Sequence, residues 1–136
     1  MQCPVCAVDM FVLEFERVEV DFCHRCGGVW LDSGELELIG ERTGVLQRHL
    51  LEALESPPTL GRRGKRPCPV CSKAMKMVSV PTTPPIVVDR CPHEHGLWFD
   101  RGELSGVVRA AGAEEDNLLA RFFAELDGST ERRKNP

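Results

Sequence analysis

The chain has 136 residues, 42% of them apolar, and a formal net charge of −4. That length allows one ordinary domain or two very small ones, while no apolar run approaches the roughly 18 residues of a membrane span and an acidic chain is not a bulk electrostatic binder of nucleic acid. Seven cysteines, an odd number, behind an opening Met1-Gln-Cys-Pro that is neither basic nor apolar, argue against a secreted disulfide framework and for a reducing, cytoplasmic setting.

The first element is Cys3-Pro-Val-Cys6, a C-x2-C turn that can wrap one face of a tetrahedral ion. Met10–Phe15 and Val18–Phe22 are rich in β-branched and aromatic residues and predict a β-hairpin. A second close pair, Cys23-His-Arg-Cys26, follows, with glycines behind it where the backbone turns without a Cβ. Asp32 predicts a helix N-cap, and Glu35 three residues later completes a capping box. Leu36, Ile39, Leu46, Leu50 and Leu54 approximate a helical stripe, interrupted by Gly40 and Gly44. Residues 1–55 therefore read as one unit. The segment 56–67, Pro- and Gly-rich with the basic run Arg62-Arg63-Gly-Lys65-Arg66, reads as a linker.

At Cys68 the pattern begins again. Cys68-Pro-Val-Cys71 repeats residues 3–6 at an offset of 65, and Gly96-Leu-Trp-Phe-Asp-Arg-Gly-Glu-Leu104 repeats 28–36 at an offset of 68. Three residues are thus inserted between the halves, most simply in Pro81–Pro85. Met75–Val80 and Ile86–Val88 take the strand positions, and the prolines mark the turn. Cys91 recurs after Val88-Asp89, but ungapped alignment puts Glu94 in the place of Cys26 and His95 in that of Gly27. Imidazole is longer than a thiolate side chain, so a ligand displaced by one residue still reaches an ion. His95 is the expected ligand, His93 the alternative, and Glu94 a poor companion for thiolates. Asp100 and Glu103 repeat the capping box, and Leu104, Val107, Val108 and Ala111 form a short stripe. A further helix at about 116–127 closes the second unit, 68–127, and residues 128–136 read as a frayed tail.

Units of about 40 residues are too small to hold a core unaided, whereas a structural zinc site contributes about 10–16 kcal/mol of apparent binding energy. The expected ligand sets are Cys3, Cys6, Cys23, Cys26 and Cys68, Cys71, Cys91, His95, for two Zn2+ ions. Iron of the rubredoxin type is the minor alternative, disfavoured by the histidine. Four protein ligands per metal leave no open position for metal catalysis, and no HExxH, P-loop, G-x-S-x-G or dinucleotide fingerprint occurs. No catalytic residue is expected. Trp30 and Trp98, at equivalent positions, are expected to pack over the ribbon, since base stacking needs an exposed ring. Capping accounts for the Asp and Glu that follow them without chemistry. His24 reads as a solvated loop residue and His49 as a structural one.

Residues 3–37 and 68–105 resemble the transcription-factor-IIB-type zinc-finger family. Its pattern is a Cys-Pro-x-Cys knuckle, a hairpin, Cys-x-x-Cys-Gly-Gly, then Trp-Leu-Asp-x-Gly-Glu-Leu. The second repeat departs from it by the Cys-to-His change and the insertion. The resemblance implies a zinc-binding β-ribbon with a trailing helix, and the family name points to transcription. The expected fold is small, α+β and metal-bound: two tandem zinc β-ribbons, each a knuckle–hairpin–knuckle followed by a helix.

Residues 1–40 carry eight acidic and two basic side chains, and residues 61–104 four acidic and eight basic, so the repeats have diverged in charge. The function expected is a non-enzymatic adaptor toward protein or nucleic acid, the latter through Arg62, Arg63, Lys65 and Arg66. The helical stripes are expected to pack the repeats together or to pair two chains. The rival reading is a redox or metal-handling protein in which a zinc-bound thiolate reacts and releases the ion.

Overall fold

In a computed structural model of the chain, residues 1–15, 17–35, 38, 41, 66–82, 84–110 and 121–126 are described. The stripe of Leu36, Ile39, Leu46, Leu50 and Leu54, His49, the linker up to Lys65, Ala111, half of the expected final helix and the tail lie outside them.

The first repeat supplies three strands, β1 Phe11–Phe15, β2 Val18–Phe22 and β3 Val29–Asp32. The second supplies β4 Lys76–Val80, β5 Ile86–Arg90 and β6 Gly96–Phe99, followed by helix α1, Glu103–Ala110. Both hairpins form where the β-branched runs predict them. Phe15 pairs with Val18 and Val80 with Ile86, so the second hairpin loop is longer by three residues and holds the insertion. Thr82 closes that loop, its backbone N–H donating to Val80 O at 2.8 Å and its hydroxyl to Pro84 O at 2.8 Å.

The strands form one antiparallel six-stranded sheet in the order β1-β2-β3-β6-β5-β4. The joint is β3 against β6, with Val29 opposite Phe99, Trp30 opposite Trp98 and Leu31 opposite Leu97. Because the repeats are offset by 68 here, Trp30 and Trp98 are both partners and equivalents. The tandem repeat is therefore a pseudo-two-fold dimer within one chain, with its axis at the tryptophan pair.

Side chains alternate across the sheet. Val18, Val20, Phe22, Val29, Leu31, Val78, Val80, Val88, Leu97 and Phe99 line one face, where Leu104, Val107 and Val108 of α1 and Phe123 of the helical segment 121–126 cover them. Three-and-four spacing puts Leu104, Val107 and Val108 on one stripe of α1. Those helical residues are therefore spent inside the chain. Trp30 and Trp98 point to the other face with Cys3, Met10, Cys23, Cys68, Met75 and Cys91. The central strands are thus covered on both sides, and every residue of β6 is buried.

Two glycines make the joint possible. A Cβ on Gly28 would overlap the ring of Trp98, and one on Gly96 would overlap Leu31 O and the ring of Trp30. Each repeat's tryptophan thus occupies the space above the other repeat's glycine. Gly96→Ala, which must separate β6 from backbone rather than from a pliable side chain, is expected to cost about 1–3 kcal/mol or more. A urea midpoint equal to wild type would show that the close approach carries no energy.

Candidate metal centres

Each C-x2-C turn is closed by backbone bonds before any ligand is considered. Cys3 N–H donates to Val8 O and Ala7 N–H to Cys3 O; in the second repeat Cys68 N–H donates to Lys73 O and Ser72 N–H to Cys68 O. The tight curl puts Ala7 and Ser72 at φ of 58° and 66°, in the left-handed region. It also aims amide hydrogens at sulfur: Val5 and Cys6 N–H reach Cys3 Sγ at 3.3 Å, and Val70 N–H reaches Cys68 Sγ at 3.3 Å. Such amides stabilise a thiolate.

The second turn of each repeat sits between β2 and β3 or between β5 and β6. Both begin and end alike, with Cys23 N–H donating to Gly28 O at 3.0 Å and Cys91 N–H to Gly96 O at 3.1 Å. Inside that frame they differ by one step. In the first, the ligand Cys26 precedes a left-handed residue, Gly27, at φ 77°; in the second, the left-handed residue is Glu94, at φ 62°, and the ligand His95 follows it. The longer imidazole absorbs that step. Glu94 points away and pairs with Arg90 at 3.2 Å, while His93 is exposed and sends only its backbone N–H to Cys91 Sγ, at 3.3 Å.

The result is two groups of four soft donors. Cys3, Cys6, Cys23 and Cys26 form one, and Cys68, Cys71, Cys91 and His95 the other, with the ligand atoms of each all within 4.8 Å of one another. Cys3 Sγ lies 3.7 Å from Cys26 Sγ, Cys71 Sγ 3.7 Å from Cys91 Sγ, and His95 Nδ1 3.4 Å from Cys91 Sγ. Disulfide sulfurs stand at about 2.05 Å. A tetrahedron of Zn–S bonds of about 2.3 Å has edges of about 3.8 Å, somewhat shorter where one ligand is nitrogen. The spacings fit those edges, so the residues present suit two tetrahedral ions.

Crowding shapes the ionisation of these thiols. The hydrogen bond with Cys26 holds Cys3 down to about 5, and the same contact pushes Cys26 up. Burial pushes Cys6 up and Cys68 up to about 12, while the backbone N–H of Lys73 brings Cys71 down to about 7. A divalent cation supplies the charge that lets all of them deprotonate. His95→Ala is expected to bring the zinc content below two ions per chain; an unchanged two would remove His95 from the site.

Residues around the sites have roles the sequence pattern concealed. Trp30 and Trp98 are fully buried, which excludes base stacking. Their indole N–H groups donate to Asp32 at 2.9 Å and Asp100 at 3.1 Å, so these carboxylates anchor the rings. Of the expected capping box the second repeat shows the Glu103 half: Glu103 accepts from Asp100 N–H at 2.7 Å, while Gly102, at φ 87°, stands between Asp100 and the start of α1. Arg66 Nη1 bridges Asp89 and Asp100, 2.9 Å from a carboxylate oxygen of each. Tryptophan and aspartate two apart on a strand share a face, which the spacing could have suggested; the arginine, 34 residues from Asp100, had no local signal.

In the first repeat, burial and then the carboxylate of Asp32 push Asp21 up. A carboxyl whose native pKa exceeds its unfolded value costs stability once ionised in both states, and that cost disappears below about pH 4. Asp21→Asn is expected to raise the urea midpoint at pH 7; a lowered midpoint would refute this sign.

No helix among the described residues is long and apolar enough to cross a membrane. No curated protein and no solved structure matches the chain. A family model described as the transcription factor zinc-finger, the transcription-factor-IIB-type zinc ribbon, matches residues 2–42 and again 67–110, more than half of the sequence. Its two segments coincide with the two repeats and contain all eight clustered ligands, and the chain belongs to this zinc-ribbon family.

Proposed function

We propose that the protein is a non-enzymatic, cytoplasmic adaptor whose two zinc ions are structural. The observation that carries this reading is the closed donor set: each cluster offers four side-chain ligands, which fills a tetrahedral ion and leaves no position for substrate or water. The C-x2-C turns then act as zinc knuckles on either side of each hairpin. The ions hold the sheet, and binding falls to the surface they shape; the family's name supports a role connected with transcription.

Between the two classes of partner, the charges favour protein. Arg66 is committed to Asp89 and Asp100, and Arg90, with an 8% exposed side chain, to Glu94. Two of the basic side chains described in the second repeat are thereby paired with its own carboxylates, while Lys73 and Lys76 are exposed and Arg62, Arg63 and Lys65 lie outside the described residues. A pull-down from the native host on zinc-loaded protein, with and without nuclease, tests the reading. We expect specific protein partners that survive nuclease and are lost on chelation. Loss on nuclease treatment would shift the function to nucleic acid, and retention by chelated protein would detach function from the metal.

A further inference from the structure

We propose that the two metal sites are energetically coupled across the β3–β6 joint, so that zinc at one site raises the affinity of the other. This rests on the zinc reading above. The coupling is visible in which atoms each repeat contributes to the other's ligand turn. The turn of the first site ends at Gly28, whose carbonyl accepts from the ligand Cys23 N–H; the space above Gly28 is filled by Trp98 of the second repeat. The turn of the second site ends at Gly96, whose carbonyl accepts from Cys91 N–H; above it lie Trp30 and the Leu31 carbonyl of the first repeat. Ser33 adds a third link. Its backbone N–H donates to His95 O at 3.0 Å and its hydroxyl to Glu94 O, so the first repeat holds the backbone that carries the His95 ligand.

Both clusters also share one apolar layer, in which Cys3, Cys23, Cys68 and Cys91 pack with Met10, Met75, Trp30 and Trp98. Ordering one turn seats its own tryptophan, and the seated tryptophan fixes the glycine that ends the other turn. The second ion therefore meets a turn whose ordering cost has already been met, which is positive cooperativity through shared order. Linkage makes the effect reciprocal: each site must lose affinity by the same factor when the other is emptied.

The test uses the full chain, reduced and metal-free, given one equivalent of zinc and examined by native mass spectrometry. For independent sites the one-zinc species reaches about half of the protein, and more if the sites differ in affinity. We expect well under half, with metal-free and two-zinc species dominating. A one-zinc species at half or above, together with a first site of wild-type affinity in the emptied-second-site variant below, overturns the proposal while leaving two zinc sites in place; failure to bind zinc at all refutes the zinc reading itself.

Two variants keep the test independent of gross folding. Trp98→Phe keeps all eight ligands and should still take up two ions, but the one-zinc species should rise; no rise would exclude the ring as the link. Cys91→Ser with His95→Ala empties the second site, and chelator competition should then show the first weakened tenfold or more. Wild-type affinity there would overturn the coupling.

Discussion

Chelation is expected to unfold the whole six-stranded sheet rather than only the cysteine turns. A structural zinc site contributes about 10–16 kcal/mol, while a domain's total stability is about 5–15 kcal/mol. Removing two such ions removes more than burial alone can supply in a molecule of this size. The apolar layer around the ions would lose its reason to assemble, because Cys3, Cys23, Cys68 and Cys91 are themselves part of it. Without that layer Trp30 and Trp98 have no seat, and they occupy the joint between the repeats. The two tryptophans are the only ones in the chain and both are fully buried, so their emission reports the joint directly. A red shift of that emission together with loss of the far-ultraviolet β signal, both reversed by zinc, is the expected result. A sheet that kept its circular dichroism and its buried tryptophans after complete metal removal would show that the hydrophobic face alone holds it.

Arg66→Ala is expected to cost about 3–5 kcal/mol, the usual penalty for stranding one partner of a buried ion pair. Asp89 has a fully buried side chain and Asp100 is about a third exposed, and one guanidinium nitrogen serves both. Asp100 also accepts from the indole of Trp98, so the loss should be felt at the joint as well as at β5. The double variant Arg66→Ala, Asp89→Asn should recover part of the loss, because it neutralises the stranded charge. A denaturation midpoint for Arg66→Ala within experimental error of wild type would mean that water reaches Asp89 and the clamp is ornamental.

The sequence pattern and the fold agree most closely at the residues whose job is local. The hairpins β1–β2 and β4–β5 lie where β-branched runs place them, and the three inserted residues lie in the 81–85 loop. A C-x2-C turn is set by bonds within six residues, so its spacing carries its geometry. The pattern is silent on β3 and β6. Val29-Trp-Leu-Asp32 and Gly96-Leu-Trp-Phe99 have strand-forming residues, but they stand between a ligand turn and a predicted cap, and the strand reading covers only the hairpin runs. The same silence covers Arg66, which reads as part of a basic linker and proves to be an internal cation, and Gly28 and Gly96, which read as turn residues and prove to be seats for tryptophan.

The amino-acid sequence by itself determined the seven cysteines of the two donor sets, the repeat and the family resemblance, because ligand chemistry and turn geometry are short-range and leave fixed spacings behind; that His95 rather than His93 joins the second set came from the structure. Only the tertiary structure decided that the two ribbons pair through β3 and β6 into one sheet. It also decided that both clusters lie on the same face of that sheet, with each tryptophan resting on the opposite repeat. Pairing between strands 68 residues apart depends on complementary surfaces rather than on spacing, and a period of two along four residues does not say which edge they will meet.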